Sequence, residues 1–188
     1  ASCLVGSEMC IRDRYVQSDH YGEFNELLRY DFGTSALTRI TEGIPWDVGG
    51  LTLSADGATM AVLVNAEGAG ELRLFDTRTL KPLPVPPLPP GSVLQAQFHP
   101  QRSELAVSVS SAQGPGQIHV VDLAGGAPRN WSGSSAPPGI DTRSFAEQQT
   151  VRWKSFDGRE ISGLLAMPPE RFAGKRPVLI NIHGGPEG

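Results

Sequence analysis

Four consecutive residues near the end of the chain, His183-Gly184-Gly185-Pro186, have the composition of a loop that does chemistry with its backbone. Adjacent glycines let a chain bend sharply and aim bare N–H groups at one point. Such groups suit acyl transfer, where a carbonyl oxygen gains negative charge and each pre-aimed donor stabilises it by about 3 kcal/mol. Pro186 has no N–H and cannot donate. The loop follows Pro177-Val178-Leu179-Ile180-Asn181-Ile182, a short apolar run that reads as a strand buried on both faces. His183 is expected to shape the loop by hydrogen bonding rather than to act as a base.

Upstream, Thr150 to Phe156 alternates polar and apolar residues, with Val151 and Trp153, joined by Ser155, on one face. Asp157-Gly158 predicts a two-residue turn with positive φ at both central positions. A return strand from Arg159 to Met167 then stops at Pro168-Pro169. A hairpin, a loop and a buried strand would thus carry the glycine loop.

Residues 15–135 repeat. Asp31, Asp76 and Asp122 each end a short apolar-rich strand, 45 and then 46 residues apart. Leu51 to Gly57 matches Ala96 to Arg102, and Met60 to Val64 matches Leu105 to Val109, both at offset 45. The extra residue falls in the Gly-rich stretch Ala112 to Gly116. Units of about 45 residues with four short strands have the arithmetic of a β-propeller blade, and the chain holds two good units and part of a third. The fold class expected is mostly β: a partial propeller of two to three blades, then the first strands of a second domain. Residues 136–147, with Pro137-Pro138-Gly139, read as a linker, and 148–188 as the start of that domain.

The segment around Asp157-Gly158-Arg159-Glu160 with His183-Gly184-Gly185-Pro186 resembles the opening of the peptidase domain of the prolyl oligopeptidase family, in its acylaminoacyl-peptidase and dipeptidyl-peptidase-like branches. The resemblance implies an α/β-hydrolase domain behind a propeller, and serine chemistry on short peptides through an acyl-enzyme. It implies that the Gly185 N–H is an oxyanion donor and that Gly184 permits close approach. The family's nucleophile, acid and base follow the oxyanion loop in that order. No Gly-x-Ser-x-Gly occurs in the 188 residues, so the triad is expected downstream of Gly188 and this chain alone is expected to be inactive. No cofactor or metal is implied. Two other readings remain open: a non-catalytic propeller that binds proteins, and an esterase sharing the same loop type.

The remaining features are bland. Net charge is −4 with signs interspersed, giving no basic block for nucleic acid. No apolar run approaches the roughly 18 residues of a membrane span. Cys3 and Cys10 lack metal-ligand spacing, as do His20, His99 and His119. His99 is expected in a turn and His119 on a solvent-facing strand position. The proline-rich stretch Pro82 to Pro90 reads as an outer edge and loop rather than a ligand for an SH3-like partner. Residues 1–14 resemble translated adapter sequence and are expected to carry no fold information. The sequence does not give the compartment, and a cytoplasmic location is favoured only slightly over a periplasmic one.

Overall fold

The computed structural model describes residues 13–133, 136–172 and 174–182, with Arg143 through its backbone only. Thirteen strands alternate with turns, and no α-helix occurs among the described residues. Strands β1 (Asp13–Ser18), β2 (Glu26–Asp31) and β3 (Ala36–Arg39) form a first sheet. A second contains β4 (Val48–Leu53), β5 (Thr59–Ala66), β6 (Ala69–Asp76) and β7 (Pro82–Leu83). A third contains β8 (Ser92–Phe98), β9 (Glu104–Ser111), β10 (Gly114–Asp122) and β11 (Arg129–Asn130). A two-stranded hairpin, β12 (Gln148–Lys154) and β13 (Glu160–Ala166), stands apart. Each strand pairs antiparallel with its sequence neighbour within a sheet.

The second and third sheets are the repeat made solid. A bulge interrupts β4 between Val48 and Gly50, and another interrupts β8 between Val93 and Gln95, at offset 45. The residue that lengthens the next interval is absorbed as a bulge between Gly114 and Gln117, inside the predicted stretch. The strand-ending aspartates have a local cause. Asp31 Oδ1 accepts from the N–H of Gly33 and Thr34, both at 2.8 Å; Asp76 Oδ1 from that of Thr79 at 2.6 Å; and Asp122 Oδ1 from that of Ala124 at 2.8 Å. Each aspartate closes its own turn, as short carboxylates do where a strand must stop.

Alternation puts every second residue of a strand on one face. Met60, Val62, Val64 and Phe75 of the second sheet pack with Leu27 and Ile40 from the first-sheet region, and Val48 joins them. From its opposite face Ala61, Leu72 and Leu74 meet Val93, Phe98, Leu105, Val107, Val109 and Val121 of the third. The second sheet is therefore covered on both sides, and each fully buried Val or Leu contributes about 1.5–3 kcal/mol. At Gly70 the two sheets come closest: a Cβ there would lie 2.0 Å from Val93 O. On the third sheet Leu94 and Ile118 stay about half exposed. The sheets are stacked in series and do not close into a ring, which is a partial, propeller-like array.

Three local expectations are corrected. β1 begins at Asp13, so Asp13 and Arg14 are paired residues, opposite Asp31 and Tyr30. Residues 177–182 are not a strand: among the described residues no strand lies alongside to pair or cover them, and Val178, Leu179, Ile180 and Ile182 are three-quarters or more exposed. His119 is buried rather than solvent-facing, at 9% exposure. The proline-rich stretch is an edge and loop, with Leu83, Val85 and Leu88 packed on the core and Pro86 buried. Those four side chains are committed to its own sheets, while Pro82, Pro84, Pro87 and Pro90 stay exposed.

Candidate functional site

His183, Gly184, Gly185 and Pro186 lie outside the described residues. The structure describes what leads to them and what that lead rests on. The turn of the β12–β13 hairpin differs from expectation. Ser155 accepts from the Gly158 N–H at 3.0 Å, and the Ser155 N–H donates to Arg159 O at 2.8 Å. Positive φ occurs at Gly158 (86°) but not at Asp157. The connection is a three-residue loop, Phe156-Asp157-Gly158, in which only the glycine takes the left-handed conformation. Trp153 lies across Gly163, where a Cβ would stand 2.9 Å from the ring. Apolar side chains project from both strands, with Trp153, Ile161, Leu164 and Leu165 all exposed and Phe156 fully so at the tip.

The hairpin rests on the sheets through polar contacts. Arg152 on β12 donates from Nε and Nη2 to Glu67 Oε1 at 2.9 and 2.7 Å, and from Nη2 to Oε2 at 2.7 Å. This carboxylate raises the guanidinium's pKa above its ordinary value, chiefly by hydrogen bonding and then by charge. Glu67 and Gly68 form the two-residue turn between β5 and β6, with φ of 54° and 84°. At the corresponding turn between β9 and β10, Gln113 donates to Phe145 O at 3.4 Å and Glu147 Oε1 at 3.3 Å. Middle-hairpin tips of two successive sheets thus meet β12 and the segment that leads into it. Sequence reading missed both. Glu67-Gly68 carries a turn signal of its own, but its partner Arg152 lies 85 residues away and no periodicity links them.

A pocket of about 240 Å³ lies beside this junction, lined by Pro89, Pro90, Gln117, His119 and Thr142 among others. Ala136 and Thr142 line the same pocket, and His119 is buried while Arg73, one unit earlier, is exposed. His119 Nδ1 is buried and has no hydrogen-bond partner among the described residues. His99 is the turn residue expected: its Nδ1 accepts from the N–H of Gln101 and Arg102, both at 3.0 Å. A cleft of about 620 Å³ runs along β4 and β8 past Gly49, Thr52, Gln95 and Ser108. Among the described residues it offers hydroxyls and amides but no titratable side chain, hence no acid or base. No group of three or more His, Cys, Asp or Glu is gathered for a metal among the described residues, and none of their helices could cross a membrane.

No family model and no curated protein matches the chain. Solved structures do. The chain is similar to a prolyl endopeptidase at 17% identity and a TM-score of 0.66, over 83% of this chain and 23% of that one. It is similar to prolyl oligopeptidase B from Galerina marginata in its apo form at 13% identity and a TM-score of 0.62, over 83% and 22%. A puromycin-hydrolysing peptidase of Mycobacterium tuberculosis matches at 18% identity and a TM-score of 0.66, over 90% and 26%. At such identities the likeness is one of fold. The chain spans about a quarter of the length of each of these proteins. The matched share exceeds what residues 1–130 could supply, so the likeness runs past the stacked sheets into the region beyond β11.

Proposed function

We propose that this chain is part of a serine peptidase that hydrolyses short peptides through an acyl-enzyme, and that residues 148–188 begin its α/β-hydrolase domain. The observation that carries the reading is the fold likeness to peptidases continuing beyond the repeated sheets, together with a glycine loop suited to an oxyanion. In this reading a serine downstream of Gly188 attacks the peptide carbonyl as a histidine takes its proton. The carbonyl oxygen becomes an oxyanion, and the Gly185 N–H donates to it. The histidine returns the proton to the leaving amine, and water then releases the acyl group. Gly184 gives the backbone room for close approach, while His183 and Pro186 shape the loop. The sheets lie over the site and restrict it to short peptides. The chemistry requires no metal or organic cofactor.

The test is amide hydrolysis by the protein extended beyond Gly188. It is expected to cleave a short peptide amide, and Gly185→Pro, which deletes the N–H, should lower kcat by about 100-fold or more with a smaller change in KM. Gly185→Ala retains the donor and controls for shape. Cleavage of esters with none of amides would favour an esterase. The 188-residue chain alone should hydrolyse neither.

A further inference from the structure

We propose that Glu67 and Arg152 form an electrostatic latch that holds the β12–β13 hairpin in one orientation on the stacked sheets. Three independent observations lead to it. First, the joint is polar: the core clusters draw on residues up to Leu123 and on none from the hairpin. A guanidinium–carboxylate fork is its principal contact, helped by the Gln113 amide and bordered by an open pocket. Joints without a large apolar interface move unless something specific holds them.

Second, Glu67 occupies a backbone position that does not favour it. Both residues of its turn have positive φ, a conformation that Gly, Asn and Asp adopt readily and a longer L side chain does not. A strained residue at a turn tip is a sign that its side chain is used. Its carboxylate is only 18% exposed in the contact, although the turn is at the sheet's end. Third, Arg152 is set between two carboxylates, Glu67 and, at 3.6 Å, Glu160 on β13. Glu160 belongs to the hairpin and travels with it, so among the described residues only Glu67 ties Arg152 to the sheets.

The latch is a property of the chain as it stands and does not depend on the peptidase reading. The partly exposed pair should weaken as salt shortens the screening length from about 10 Å at 0.1 M to about 3 Å at 1 M. The experiment places spin labels at Lys81→Cys, an exposed site in the β6–β7 connection of the second sheet, and at Phe156→Cys on the hairpin tip, in the 188-residue chain with Cys3→Ser and Cys10→Ser. The pulsed-dipolar distance distribution is then read. One narrow peak is expected at 0.1 M salt, lost at 1 M salt and lost in Glu67→Gln. Glu67→Gly is the deciding variant. It relieves the turn, so the thermal midpoint of the sheets should hold or rise, yet the narrow peak should vanish. The charge-exchanged pair Glu67→Arg with Arg152→Glu, made with Glu160→Gln so that the new glutamate faces no second carboxylate, should restore the peak. A narrow peak that survives in both Glu67→Gln and Glu67→Gly, or a broad distribution in the unaltered pair at 0.1 M salt, would overturn the proposal.

Discussion

The carboxylates that close turns contribute stability that acid removes. The backbone N–H and then the hydroxyl of Thr34 hold Asp31 below the ordinary value of 3.8; the Ser54 hydroxyl and the Ala58 N–H do so for Asp56; and Thr79 does so for Asp76. A depressed carboxyl stabilises the fold fully above its unfolded value and loses that contribution as pH falls through the folded one. Thermal midpoints followed by circular dichroism should therefore drop below pH 3.8. The drop should be shallower in a variant combining Asp56→Asn with Asp76→Asn, since Asn keeps the acceptor oxygen but does not titrate. A second test at this scale is Gly70→Ala. The added methyl would meet the backbone oxygen of Val93, and backbone cannot swing aside, so urea titration should show a loss of about 3 kcal/mol. These features differ in how far the sequence reveals them. A strand-ending aspartate acts within three residues and could be read directly. His119 is buried beside a pocket it lines together with Pro89, Pro90, Ala136 and Thr142, neighbours distant in sequence that no local pattern encodes.

Sheets are the elements that the 45-residue period encodes. The second and third recur down to their bulges because each unit repeats the same face, and alternation survives wherever that face is buried. Leu105, fully buried where these sheets meet, is the position to probe: Leu105→Ala should cost about 2–5 kcal/mol in equilibrium unfolding. The hairpin was legible in outline but not in turn type, because Asp157-Gly158 suits both a two-residue loop and the three-residue loop observed, and one residue of register separates them. The run 177–182 was legible as apolar but not as a strand. A strand requires a neighbour, and the described residues hold none beside it. The contact that seats the hairpin, Glu67 on Arg152, joins residues 85 apart and is a product of the assembled fold.

Across the whole molecule, a series of propeller-like sheets followed by a separate hairpin is the order in which the proposed peptidase would place a filter before its chemistry. The fold likeness covers that order from the sheets into the region beyond them, and the proposed oxyanion loop follows directly. The most direct measurement is fluorophosphonate labelling of the protein extended beyond Gly188, with mapping of the labelled residue. The account predicts stoichiometric modification of one serine within a Gly-x-Ser-x-Gly downstream of Gly188, and loss of peptide-amide hydrolysis in step with labelling. A protein that takes no label and cleaves no peptide amide would contradict it.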